Sequence, residues 1–342
     1  MTAPDLDLVT FGRICLDLYA EAASLAEAEG FTRAVGGCAG NIAIGSARLG
    51  LRVAIITEVG ADPFGEYIRK ALARERVATE GLRMASGRRT TLAFAAAAPG
   101  APPKLAFYRE GTADAVLDPD AVDAGLIARA RVLAVSGAHA ASGPGAGAVA
   151  AAIRAARQAG RAVALDIDHR PGFGAAGGAE AASARLAGLV AAADLAVGTE
   201  DEWRFTGGAD DLIAALKRLR DASGAVFVVK RGAAGAVLLP DAIPEAFGAE
   251  HVVPGFAVPV LNPLGAGDAF MAGFLSLWME GAPLADCARR GNACGALVAG
   301  RLLCSAASPS LAELEAFLTR NNGAWSTGSA AISRPSAPEG GG

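Results

Sequence analysis

The stretch Asn262-Pro263-Leu264-Gly265-Ala266-Gly267-Asp268-Ala269-Phe270 sets three small residues and a carboxylate just ahead of an apolar run, Met271 to Met279, that reads as a helix. Small residues before a helix leave backbone N–H groups bare and aligned, and the helix dipole adds positive potential. Gly265, Ala266 and Gly267 could therefore form an anion hole. A carboxylate at its mouth, Asp268, could take a proton from a hydroxyl attacking a phosphoryl group. A plain helix cap on a tight glycine turn suits the same residues equally well, because aspartate is a good N-cap.

Other segments invite similar readings. In Gly36-Gly37-Cys38-Ala39-Gly40-Asn41, continuing to Leu49-Gly50, paired glycines permit close backbone approach to a ligand, and Asn41 can both donate and accept. Asn41 could equally be only an N-cap. Val229-Lys230-Arg231-Gly232-Ala233-Ala234-Gly235 follows an apolar run. A Gly-rich turn at the carboxyl edge of a parallel sheet is where nucleotides bind, though an ordinary β-turn needs no ligand. Arg109 lies in Phe107-Tyr108-Arg109-Glu110, and Arg170 in Asp166-Ile167-Asp168-His169-Arg170-Pro171. Arginine matches a carboxylate through two parallel hydrogen bonds, so this pair points to an acidic substrate. Glu110 and Asp168 are ready partners for structural ion pairs, and on the residues alone that reading has slightly more weight.

The elements that must hold these residues follow from the apolar pattern. Leu8–Phe11, Val132–Val135, Val163–Ile167, Leu195–Val197 and Val226–Val229 are short continuous runs, as expected of parallel strands buried on both faces. Helical stretches lie between them: Asn41–Leu49 ends at Gly50, Ala148–Ala159 ends at Gly160, and Asp211–Asp221 has one apolar face. This alternation predicts a three-layer α/β/α sandwich with a mostly parallel sheet. Residues 13–35 and 87–110 break the alternation. Thr90–Ala98 and Leu105–Arg109 read as a hairpin around Pro99-Gly100-Ala101-Pro102-Pro103, which predicts a small sheet serving as a lid or an oligomer interface. Residues 323–342, rich in Gly, Ser, Ala and Pro, are expected to be disordered.

Composition narrows the function classes. Of 342 residues 52% are hydrophobic, enough for a large core, and the formal charge of −4 gives no footprint for nucleic acid or an anionic membrane. No apolar run is long enough to span a bilayer, and Met1–Asp5 lacks the features of a signal peptide. The odd set Cys15, Cys38, Cys287, Cys294 and Cys304 argues against a disulfide framework, and with His139, His169 and His251 unpaired a zinc site is not expected. The expected compartment is the cytoplasm. There is no Walker A loop, nucleophile elbow or zinc-protease helix.

In order and separation, the Gly36–Gly50 and Gly265–Asp268 segments resemble the motifs of the ribokinase/PfkB family of carbohydrate kinases, and the likeness covers roughly residues 5–320. It implies one ribokinase-like kinase domain over residues 1–322, with a lid from about 13–35 and 87–110, and transfer of the ATP γ-phosphate to a sugar hydroxyl. Asp268 resembles the family's catalytic base and Gly265–Gly267 its anion hole. Asp17, with Gly37 and Asn41, resembles its sugar contacts. Lys230, Gly232 and Gly235 resemble its nucleotide-side turn, and Asn292, within Gly291-Asn292-Ala293-Cys294-Gly295-Ala296, falls on the nucleotide side. Gly198-Thr199-Glu200-Asp201-Glu202 stands where the family carries an Asn-x-x-Glu magnesium motif. The asparagine is missing, which leaves Asp201 or Glu202 as the acidic member for Mg²⁺; acids at a solvated helix N-terminus are the plainer alternative. Asn262-Pro263 replaces the usual Asp-Thr that in that family helps hold a monovalent cation, which argues against activation by K⁺.

The segments around Arg109 and Arg170 resemble the branch that acts on keto-deoxy sugar acids, which shifts the weight toward a carboxylate clamp. Gly12-Arg13 with Asp17-Leu18-Tyr19, Asp166-Ile167-Asp168, Asn262-x-Leu264-Gly265 and the Asn292 string resemble the members of that branch that act on 5-dehydro-2-deoxygluconate, and the resemblance implies phosphorylation at O6 in inositol catabolism. 2-Dehydro-3-deoxygluconate or another sugar of the family is the alternative. A non-catalytic sugar-acid or nucleotide sensor ranks low, because Asp268 is intact. The expected partners are the sugar acid and ATP, with a homodimer through the lid as a family-level expectation.

Overall fold

A computed structural model describes residues 4–97, 103–143, 145–173 and 177–321. Among them the strands are β1 (Leu6–Phe11), β2 (Cys15–Ala20), β3 (Phe31–Gly36), β4 (Val53–Gly60), β5 (Val77–Ala78), β6 (Leu82–Ala85), β7 (Leu92–Ala96), β8 (Lys104–Tyr108), β9 (Ala130–Ser136), β10 (Ala162–Asp166), β11 (Leu195–Thr199), β12 (Val226–Lys230), β13 (Ala236–Leu239) and β14 (Val252–Val253). The α-helices are α1 (Cys38–Arg48), α2 (Pro63–Arg74), α3 (Ala124–Ala128), α4 (Ala138–Ser142), α5 (Ala146–Gln158), α6 (Gly178–Ala192), α7 (Glu200–Gly207), α8 (Leu212–Arg220), α9 (Ala266–Trp278), α10 (Leu284–Ala299) and α11 (Leu311–Arg320).

The large sheet runs β14-β13-β12-β11-β10-β9-β1-β4-β5, with β6 also paired to β4. Its pairings are parallel except those of β13. The central strands are nearly continuous Val, Leu, Ile and Ala because helices cover both faces. One face packs on α3 to α8, with fully buried Trp203 against Phe227 at 4.7 Å between ring centroids. The other packs on α1, α2, α9 and α10 through Ile42, Ile68, Phe274 and Leu284. All five anticipated central strands are present. Strand β4, buried throughout, is not among the anticipated runs because Thr57 and Glu58 interrupt its apolar half.

Strand β1 lies between β9 and β4, so the sheet grows first to one side of it, through β4, and later to the other, through β9. A crevice opens at the carboxyl end of such a switch point, and ligands bind there. The small sheet, in the order β3-β2-β7-β8, stands over that end. Strands β7 and β8 form the anticipated hairpin, from Leu92 opposite Tyr108 to Ala96 opposite Lys104. Its turn at 98–102 and the tail at 323–342 lie outside the described residues. One face of the small sheet turns Ala93, Ala95, Leu105 and Phe107 toward the crevice, as the two-residue period of a strand requires. The other face stacks Phe31, Phe94 and Tyr108 edge to face, at 5.5 and 5.4 Å.

Candidate active site

The crevice holds about 450 Å³ of free space, part of it open to solvent, and its lining includes Asp17, Gly37, Asn41, Arg170, Gly265 and Asp268. The fold brings these six anticipated residues together from four separate segments. Arg13, Leu264 and Cys304 line it as well.

Helix α9 starts at Ala266, five residues before the apolar run suggested, with Gly265 as its N-cap and no side-chain cap. Asp268 is therefore inside the first turn and does not cap the helix. Gly265 has a left-handed φ of +78°, and a Cβ there would lie 2.8 Å from Cys304 Cβ, so only glycine fits this turn. Asp268 is buried, and Asn41 Nδ2 donates to its Oδ2 at 2.7 Å. Burial, then the nearby Asp168 carboxylate, push the Asp268 carboxyl above its ordinary value; Asn41, Arg170 and Arg13 oppose the shift. The result is a carboxylate more basic than usual at a helix N-terminus.

Asn41 lies within α1, whose N-cap is Gly37, so the capping alternative fails for it too. Its Oδ1 is buried without a hydrogen-bond partner among the described residues and can accept from a ligand hydroxyl. Gly37 has φ +87°, and a Cβ on it would lie 2.6 Å from the Arg13 carbonyl, which is how α1 comes so close to the chain leaving β1. Asp17 on β2 receives the Cys15 thiol at 3.1 Å and the Tyr19 hydroxyl at 3.1 Å; that hydroxyl is also 2.7 Å from Cys304 Sγ. Burial raises the Asp17 carboxyl.

The two anticipated arginines separate. Arg170 lines the crevice, and its Nε donates to Asp168 Oδ1 at 2.7 Å. Arg109 is not among the lining residues. Its partner is Asp114, 3.4 Å away, rather than Glu110, and it rests on the Phe173 ring at 4.7 Å. In its place stands Arg13, 6% exposed, at the end of β1. Its Nη2 donates to Asp168 Oδ2 at 3.3 Å, and Ser136 Oγ donates to the same oxygen at 2.8 Å. These cationic and hydroxyl donors hold the Asp168 carboxyl well below the usual range despite burial. Asp168 also has a left-handed φ of +40°, uncommon for a residue with a side chain.

The anticipated nucleotide side lies across β12. Lys230 Nζ donates to both oxygens of Asp166, at 3.1 and 3.3 Å, and lies close to Gly267, where a Cβ would be 3.1 Å from it. Its charge thus sits beside the anion hole. Burial raises the Asp166 carboxyl, Lys230 pulls it down, and Glu202 pushes it up again. Gly232 opens a short helical turn that Gly235 closes with φ +87°, against residues 253–255. Asn292 Nδ2 donates to the Val253 and Pro254 carbonyls at 3.1 and 3.0 Å, so its amide hydrogens anchor that same segment.

Of the acidic pair, Asp201 is 95% exposed and bonded to Arg204 at 2.9 Å, so the expectation of it as a metal ligand is not supported by its position. Glu202 closes a capping box with Thr199 and faces Asp166 and Lys230. Carboxylate oxygens of Asp166 and Glu202 suit a hard cation such as Mg²⁺, whereas the Cys38 thiol, grouped with Asp166 and Asp268, does not. Asn262 is fully buried and ties its loop, donating to Leu302 O at 2.6 Å and accepting from Leu264 N at 3.1 Å. His139 is buried outside the crevice; its Nε2–H donates to the Asp114 carbonyl at 2.6 Å, and burial pulls its pKa down to about 4.

Comparison with known proteins decides the family. The family model described as pfkB family carbohydrate kinase matches residues 5–311. The chain belongs to the pfkB family of carbohydrate kinases. It is accordingly a phosphotransferase acting on a sugar hydroxyl. It is 32% identical over 323 residues to 5-dehydro-2-deoxygluconokinase of Geobacillus kaustophilus, covering 92% of this chain and 94% of that protein. The protein of the same name from Listeria monocytogenes is 31% identical over 321 residues, with 92% and 96% covered. A PfkB protein from Polaromonas sp. JS666 superimposes with TM-score 0.76 at 29% identity, over 91% of this chain and 99% of that one. Fructokinase with bound ATP from Xylella fastidiosa, 24% identical, shares the fold with TM-score 0.80 over 92% and 99%.

Sequence reading missed Arg13 as a crevice residue. The available signal was its place directly after Gly12 at the end of β1, the strand at the switch point. Among the described residues, no helix is long and apolar enough to cross a membrane.

Proposed function

We propose that the protein transfers the γ-phosphate of ATP to O6 of 5-dehydro-2-deoxygluconate. The observation that carries this is the meeting of Asp268 and Arg170 in one crevice, a basic carboxylate and a guanidinium that can hold an acid group. The names of the relatives support the same sugar acid. Asp17, Gly37 and Asn41 hold the sugar hydroxyls, and Arg170 holds its carboxylate. Asp268 accepts the O6 proton as the new bond to phosphorus forms. The Gly265–Gly267 amides and the Lys230 ammonium face the charge on the transferring group. Gly232, Gly235 and Asn292 shape the nucleotide side.

Mg²⁺, when bound with ATP, neutralises phosphate charge, and Asp166 and Glu202 are the residues that would hold it. The small sheet acts as a lid whose apolar inner face, Leu105 and Phe107 included, excludes water and so protects ATP from hydrolysis. Its exposed aromatic outer face supports pairing with a second copy. The buried free thiols suit the reducing cytoplasm.

The test is ADP release with Mg-ATP, comparing 5-dehydro-2-deoxygluconate, 2-dehydro-3-deoxygluconate and ribose by kcat/KM. The first is expected to lead. A lead for the second would keep the base and the acid-binding site but replace the substrate. Activity on ribose alone would return Arg170 to a purely structural ion pair, and no turnover with any of the three would favour a sensor.

A further inference from the structure

Arg13 is an unusual residue to bury. It is 6% exposed, its Nε has no hydrogen-bond partner among the described residues, and it lines the crevice beside Asp17, Asn41 and Arg170. Among the described residues its ion pair is with Asp168, a carboxylate it shares with Arg170 and with the Ser136 hydroxyl. One directly bonded carboxylate thus serves two guanidiniums. A buried cation with an unused donor is costly unless an anion completes its shell. The other carboxylates near it are already engaged: Asp268 with Asn41, and Asp17 with Cys15 and Tyr19. Phe173, 5.2 Å from the Arg13 guanidinium carbon, offers only its ring face. Arg109, the arginine anticipated for this task, pairs with Asp114 outside the lining.

We propose that Arg13 is a specificity-determining residue that reads the carboxylate of the sugar acid together with Arg170, with Asp168 fixing the spacing of the two guanidiniums. This rests on the sugar-acid reading above and deepens it. Asp168 spans the pair edge on, Oδ2 to Arg13 and Oδ1 to Arg170. It does so from a left-handed backbone, with φ +40°. An incoming carboxylate then meets two fixed forks and needs no side-chain reordering, whereas a neutral alcohol at the same position leaves both forks unmatched.

The experiment compares 5-dehydro-2-deoxygluconate with the same ketose whose carboxylate is reduced to a primary alcohol. It measures kcat and KM for wild type, Arg13→Met and Arg13→Lys, with KM for ATP and thermal melting recorded for each. Wild type is expected to prefer the acid strongly. Arg13→Met is expected to cut the acid-to-alcohol ratio of kcat/KM by about 30-fold or more, through KM for the acid, with KM for ATP kept. Arg13→Lys keeps the charge but loses the fork, and is expected to cut the ratio about tenfold. If Arg13→Met does not fold, Arg13→Lys decides. Equal losses on acid and alcohol in a folded variant, or an unchanged ratio, would overturn the role of Arg13 while leaving the sugar-acid reading intact. No acid preference in wild type would overturn both.

Discussion

Replacement of Asp268 by asparagine isolates proton transfer from architecture. The carboxylate accepts one identified bond, from Asn41 Nδ2 at 2.7 Å. An amide of the same shape can accept that bond through its own oxygen, so α9, Gly265 and the amides ahead of the helix stay in place. What disappears is the proton acceptor. A positioned general base contributes about 10²–10⁴ in rate, or about 3–5 kcal/mol in barrier height, so kcat should fall by about that factor. KM for ATP should change less than about threefold, because no nucleotide contact is removed.

Stability should move the other way. The folded state raises the Asp268 carboxyl above its ordinary value, chiefly by burial. Such a group favours folding at low pH and opposes it as pH rises through and above the ordinary carboxylate range. At neutral pH the neutral asparagine removes that opposition, so Tm should not fall. In wild type, the acid limb of the pH–rate profile should lie above the ordinary aspartate value of 3.8, since the base must be ionised to act. A coupled ADP assay and a melting curve give all four quantities. Retention of kcat within tenfold of wild type, or a rise in KM for ATP matching the fall in kcat, would refute the base assignment.

Glu202→Gln should raise the Mg²⁺ concentration needed for half-maximal rate several-fold without unfolding α7, because glutamine still completes the capping box, while Asp201→Asn should leave the Mg²⁺ titration unchanged. Asp168→Asn should destabilise by about 3–5 kcal/mol at neutral pH, because two guanidiniums lose their buried partner. The folded state depresses the Asp168 carboxyl, so its stabilisation is present above the ordinary value and is lost as pH falls below it; the Tm gap between wild type and variant should narrow in acid. Trp203→Ala should cost about 3–5 kcal/mol, since Trp203 is fully buried against Phe227 and its Nε1–H donates to the Val228 carbonyl at 3.1 Å; a Tm within a degree of wild type would contradict this packing.

Legibility in the sequence followed the range of the interactions. Runs such as Val226–Val229 declare a buried strand by themselves, because apolar residues on both sides of the backbone tolerate only a covered sheet. Glycines at 50 and 160 mark helix ends by backbone freedom alone. The Gly265–Asp268 turn likewise announced an anion-binding helix start. Its competing role for Asp268, a cap, could not be dismissed until α9 was seen to begin at Ala266 with Gly265 as the N-cap. Strand β4 escaped notice because Thr57 and Glu58 find partners outside their own strand: Thr57 Oγ1 donates to Gly12 O at 2.7 Å, and Glu58 pairs with Arg83 at 3.3 Å.

By itself the sequence determined the alternation of strands and helices, the β7–β8 hairpin and the turn that carries Asp268, since each depends on residues only a few positions apart. Only the tertiary structure decided which charged groups share the crevice. Asn41 meets Asp268 across 227 positions, and Arg13 meets Asp168 across 155. It brought Arg13 to the crevice wall, paired Arg109 with Asp114, faced Glu202 toward Lys230 and left Asp201 in water. The physical reason is that a charged side chain is placed by the partner that offsets its desolvation, and that partner is chosen by the packing of distant segments rather than by neighbours in the chain.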